Sequence, residues 1–355
     1  MVKFTILAGG YSAYISTYSF DSDSSTLSLV GQSPTGGNAS WLSLHPANSS
    51  ILYAVNEIDQ AALQSFVVHE DGLLSDAIST VPTLGLSPTH NHPLKTGQVS
   101  VMNWSTGNGR VFPTSPDGLY FDNSSAPVIT FPANQSHPHE TVEHEDEILV
   151  PDLGADTIWR LVQESPDTPG TWKIQGSIPQ PKGSGPRHIA LADGFVYTLH
   201  ETSNTLVSQV LPSEPNGTSD YIANISVIPT DLVEGAKMAA AEILIPAVSD
   251  TFCEPYIFTS NRNMGTQDPR GDPITIIRRG AKGELEVSGF VYTGLSIIRS
   301  MAFFGEDDKY LIAGGQQGDA GVVVYERTGD GGELTLVATN KEVPTRTSFV
   351  SIQEY

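Results

Sequence analysis

One strand-like unit recurs along the whole chain and limits its fold more than any other feature. Each copy is a short apolar run ending in Gly, Asn, Asp or His: TILAGG, ILYAVN, VSVMN, ILVPD, FVYTLH, YIFTSN and YLIAGG. The end residues are Gly10, Asn56, Asn103, Asp152, His200, Asn261 and Gly315, so the seven copies advance in steps of 46 to 61 residues. A period of that length, with several short strands per unit, is the mark of a propeller blade. A second strand-like segment follows the anchor run, as in Ala13–Phe20, Leu63–His69, Ile274–Arg278 and Gly321–Tyr325. Then comes a Gly-containing turn and a further strand, as in His69–Leu74, Arg279–Val287 and Arg327–Val337, which is a hairpin signal.

A lead segment stands ahead of each anchor but the first: ASWLSLHP, PTHNHP, HPHETV, PRHIAL, AAEILI and IRSMAFF. The missing copy, RTSFVSI (Arg346–Ile352), lies at the C-terminal end. Phe349, Val350 and Ile352 are therefore expected to pair with Phe4–Ala8 and close the ring, removing the open sheet edges that invite aggregation. The expectation is an all-β, seven-bladed β-propeller, a single domain over residues 1–355.

Composition agrees and excludes several functions. Gly (33) and Pro (24) are plentiful, only 16% of residues are charged, and no apolar run reaches membrane-spanning length. A net charge of −22 argues against nucleic acid, since phosphate binding needs a basic face. The lone cysteine, Cys253, has no internal disulfide partner. Glycosylation sequons occur at Asn38, Asn48, Asn103, Asn123, Asn134, Asn216 and Asn224, seven of fourteen asparagines. Chance in a Ser/Thr-rich chain predicts about two or three. A secreted glycoprotein is expected, with a cytoplasmic location as the alternative, because Met1 leads straight into the strand-like run Phe4–Ala8.

In a propeller the innermost strands line a central channel, and the lead segments should be those strands. They carry His90, His139, Arg187, His188, Glu242 and Arg299, while Glu57, Glu201 and Arg262 stand one position past an anchor run. Repeat-equivalent positions converge on one axis, so these residues are expected to meet in a single pocket. The whole chain has only 18 Lys and Arg, which makes several inner arginines look purposeful. His137 and His139 alternate onto one strand face, but that spacing does not assure three ligands, so no metal and no other cofactor is expected. No G-x-S-x-G elbow and no G-x-G-x-x-G loop occurs.

GPRH at Gly185–His188, HPHE at His137–Glu140, YAVNE at Tyr53–Glu57 and SNR at Ser260–Arg262 carry a family likeness. With these motifs in this order, the chain resembles the propeller family of bacterial 6-phosphogluconolactonases and fungal carboxymuconate-lactonising enzymes, over essentially its full length. The resemblance implies catalytic roles for His139, Arg187, Glu201 and Arg262: lactone hydrolysis needs a base to activate water, which Glu201 or His139 can supply, and donors for the oxyanion, which Arg187 and Arg262 can supply. Glu57, His90, His188, Glu242 and Arg299 are the remaining candidates for substrate binding. The expected activity is hydrolysis of a sugar-derived lactone by a monomer. A lactonising cycloisomerase and a non-catalytic binding propeller are the alternatives.

Overall fold

A computed structural model describes residues 2–354 and contains seven four-stranded antiparallel sheets. In each blade the lead segment is the innermost strand and the anchor run is the second, as in Pro186–Ala192 followed by Phe195–His200. The anchor runs are apolar throughout because neighbouring blades cover both of their faces; Ile51–Asn56 is buried at every position. The outermost strands have one covered face and alternate, as Thr26–Pro34 does.

The C-terminal strand Ser348–Glu354 is the inner strand of the first blade. It pairs with Lys3–Gly9 in the register Ala8↔Phe349, Leu7↔Val350 and Thr5↔Ile352. Phe349 also packs in a cluster with Phe4, Phe20, Phe304 and Tyr310, so the last strand ties the first blade to the seventh. One feature is less regular than expected. The turn at His69–Leu74 closes on an isolated Val68↔Leu74 bridge and a His69 N–H bond to Leu73 O at 2.9 Å rather than between two full strands, and the outer strand of that blade starts later, at Ser79–Pro82.

The apolar core is divided among the blade interfaces. Seven clusters each join two neighbouring blades; for example Leu7, Leu42 and Leu52 join the first and second. None needs to cross the axis, which leaves the centre to polar side chains. The anchor-end residues latch each blade to the loop entering it. Asn56 Nδ2 donates to Gly37 O at 3.0 Å, Asn103 Nδ2 to Thr83 O at 3.2 Å, and Asn261 Nδ2 to Val227 O at 3.1 Å. Asp152 Oδ1 instead accepts from the His137 N–H at 2.7 Å. Gly315 stands at this position where a Cβ would meet Ser296 O at 2.6 Å.

Candidate active site

β-Bulges decide which side chains reach the channel. In the inner strand Pro186–Ala192 the ladder slips between Pro186 and His188, so Arg187 is the extra, unpaired residue. The strand Pro88–Leu94 slips at the matching place, freeing Thr89, and Met238–Leu244 slips between Ala240 and Ile243, freeing Ala241 and Glu242. Bulges re-aim side chains in this way beside functional sites. Arg187 Nη1 donates to the carbonyl of Ala241 released by the neighbouring bulge.

At one mouth of the channel, where inner strands begin and second strands end, lies a cavity of about 210 Å³. It is lined by His139, Arg187, Glu201, Arg262, Glu57 and Arg299, with Tyr11, Ser87, Thr89 and Trp104 completing the wall. Glu201 bridges two cations: its Oε2 lies 3.0 Å from Arg187 Nε and 2.5 Å from Arg262 Nη2. Burial alone would raise the Glu201 carboxyl, but Arg262 and Arg187 outweigh it and hold the group below its ordinary range. Arg187 is fully buried, and burial with Arg262 beside it lowers its pKa to about 9, which leaves it charged at neutral pH. Its Nη2 makes no hydrogen bond among the described residues. Arg299 is held by Ser40 O at 2.6 Å and Thr89 O at 3.1 Å, with Glu57 Oε2 at 3.5 Å.

Behind the cavity wall runs a buried polar row. His139 Nδ1 faces His188 Nε2 at 3.2 Å, and His188 Nδ1 faces Glu242 Oε1 at 2.7 Å. Burial, reinforced by Arg187, pushes both imidazoles well below the usual histidine range, so both are neutral at pH 7. Burial pushes the Glu242 carboxyl up to about 7. Glu140 Oε1 lies 3.7 Å from His188 Nδ1, and burial followed by repulsion from Glu242 raises its carboxyl well above the ordinary value.

Six of the nine expected site residues thus share the cavity, and three do not. His90, His188 and Glu242 are buried and are not among its lining residues. His90 packs against Trp41 at 4.5 Å between ring centroids and accepts the Thr141 N–H at Nδ1. Two lining residues were legible but overlooked. Tyr11 and Trp104 stand one position past the anchors Gly10 and Asn103, the register of Glu57, Glu201 and Arg262. Trp104 stacks on His137 with ring centroids 4.3 Å apart, which turns His137 away from any shared site with His139. Among the described residues no group of three or more His, Cys, Asp or Glu side chains is arranged to hold a metal ion.

The family model described as a seven-bladed β-propeller lactonase matches residues 5–351. An uncharacterised protein of Staphylococcus saprophyticus is 24% identical over 315 residues, 84% of each chain. A protein of Arthroderma benhamiae, named a probable 6-phosphogluconolactonase, is 23% identical over 263 residues, or 70% of this chain and 64% of that one. Among solved structures, a Lactobacillus plantarum protein superimposes with a TM-score of 0.82 at 21% identity, covering 99% of this chain and 100% of that one. The periplasmic gluconolactonase of Pseudomonas aeruginosa does so with a TM-score of 0.80 at 21% identity, covering 99% of both. At such identities the solved structures establish a shared fold alone. The match over nearly the whole length decides the family: this chain is an enzyme of the seven-bladed β-propeller lactonase family.

Proposed function

We propose that the chain hydrolyses a sugar-derived lactone in the funnel cavity, with His139 as general base and Arg187 as oxyanion donor. One observation carries the assignment: a neutral imidazole and a buried guanidinium with an unpartnered Nη2 line the same cavity. His139 takes a proton from water, the hydroxide attacks the lactone carbonyl, and the developing oxyanion receives an N–H from Arg187. The ring oxygen then leaves and takes the proton back. Glu201 is the weaker base, because two arginines hold it anionic. Its role is to fix the two guanidinium planes. Arg262 and Arg299 bind oxygen substituents, and Tyr11 and Trp104 offer ring faces to the sugar. A volume of about 210 Å³ lies below the usual drug-sized pocket and suits a single ring. Gluconolactone is expected to open fastest in a pH-stat screen with cellobionolactone and carboxymuconolactone. Turnover of carboxymuconolactone alone would favour the lactonising chemistry, and turnover of none would overturn the assignment.

Secretion is the proposed location, supported by the sequons. Asn48, Asn123, Asn134, Asn216 and Asn224 are exposed, Asn38 is half-buried, and Asn103 is fully buried with its amide donated to Thr83 O and Asn108 Oδ1. Expressed in a eukaryotic secretory host, the protein should lose mass on deglycosylation, with glycans mapped to exposed sequons and none to Asn103. An unchanged mass sinks the secretion reading.

A further inference from the structure

We propose that His188 and Glu242 form a proton relay behind His139, setting its tautomer and storing the proton that it takes from water. The proposal rests on the hydrolytic reading above. Its geometry is the continuous row Glu242 Oε1, His188 Nδ1 and Nε2, and His139 Nδ1, at 2.7 and 3.2 Å. When Glu242 is ionised, His188 Nδ1–H donates to it and His188 Nε2 becomes an acceptor. His139 must then carry its proton on Nδ1, which leaves Nε2 as a lone pair for water. When Glu242 is protonated, every bond in the row reverses and His139 carries its proton on Nε2, where it serves as an acid.

The two states are the two halves of a hydrolytic cycle. A proton passes from water to His139 Nε2, the proton on His139 Nδ1 moves to His188 Nε2, and that on His188 Nδ1 moves to Glu242. Ring opening returns it along the same path to the leaving alkoxide. No imidazolium forms at any stage, which suits two histidines that burial keeps neutral.

The surroundings poise Glu242 for both states. It sits at the bulge in Met238–Leu244, and its own N–H donates to Ser260 Oγ at 3.0 Å. The titratable and charged groups facing it are His188 and Arg187 from Pro186–Ala192, Glu140 from the segment before Val142–His144, and Arg299 from the segment before Met301–Phe304. Burial favours the acid, whereas Arg187, the Ser300 side chain, the Ile243 N–H and Arg299 favour the carboxylate. The balance falls at about 7. The base-competent form is the ionised one, so kcat should rise with pH through about 7.

The test is Glu242→Gln, which keeps shape and removes the titration. Loss of the relay should lower kcat by about 10²- to 10⁴-fold, the range for a general base, with KM changed by less than about twofold. The acidic limb near pH 7 should vanish, and Glu242→Asp should restore part of both. Side-chain ¹⁵N NMR supplies a readout independent of turnover. In the native protein the His139 signals should pass from the Nε2–H to the Nδ1–H tautomer as pH rises, and in Glu242→Gln they should not. A native protein that opens no lactone yet shows the switch overturns the hydrolytic reading but keeps the relay. A His139 tautomer that ignores both pH and Glu242→Gln, or a variant with a native pH–rate profile, overturns the relay.

Discussion

Removing the last ten residues should abolish cooperative folding. The deletion takes the inner strand of the first blade, and with it the seven backbone pairs that join Ser348–Glu354 to Lys3–Gly9. It also takes Phe349, 5% exposed, from the aromatic cluster between the first and seventh blades. Losing one buried Phe costs about 3–5 kcal/mol, against a total stability of about 5–15 kcal/mol for a typical domain. Arg346 goes too, and its guanidinium donates to Ser16 Oγ at 3.0 and 2.6 Å inside the first blade. The remaining chain would expose the edge of Lys3–Gly9, an invitation to pair with another copy. Calorimetry should show no cooperative transition and light scattering should show association. The single substitution Phe349→Ala should keep the fold with a lower melting temperature. A truncated chain that melts like the native one rules out this form of closure.

The blades were legible because their signal is physical and repeated. A strand covered on both faces must be apolar throughout, so the anchor runs stood out against the polar turns. The same register exposed Glu57, Glu201 and Arg262, and applied without a preference for polar residues it also finds Tyr11 and Trp104. What spacing does not encode is a bulge. Arg187 and His188 are adjacent, yet the slip at Arg187 sends one into the cavity wall and leaves the other behind it, beside Glu242. The scarcity of arginine was also a weaker guide than it looked. Arg110 binds the carbonyls of Ala126 and Pro82, Arg160 pairs with Glu147 at 2.5 Å, and Arg327 binds the carbonyls of Gly331 and Asp307. These three are buried and strap outer loops to their blades, with no part in the cavity. Asn103 reads as a sequon in the sequence, but as an anchor-end asparagine it spends its amide on the blade latch.

The second large effect should come from Arg187 and His139, taken singly and together. Arg187→Lys keeps a charge but loses the planar fork that reaches Ala241 O and Glu201 and, in the proposed mechanism, the substrate. With the oxyanion donor gone, kcat should fall about 10²- to 10³-fold. His139→Gln retains a polar side chain of similar reach but has no titratable nitrogen, and should lower kcat by about 10²- to 10⁴-fold. If base and oxyanion donor serve one transition state, the double variant should lose much less than the product of the two factors, because each residue works only when the other is present. Glu201→Gln provides the contrast. It weakens the clamp on Arg187 and Arg262 without removing the base, so its loss should be smaller and should leave the acidic limb of the pH–rate profile in place. Should Glu201→Gln erase that limb while His139→Gln keeps it, the base is Glu201 and the roles assigned here are reversed.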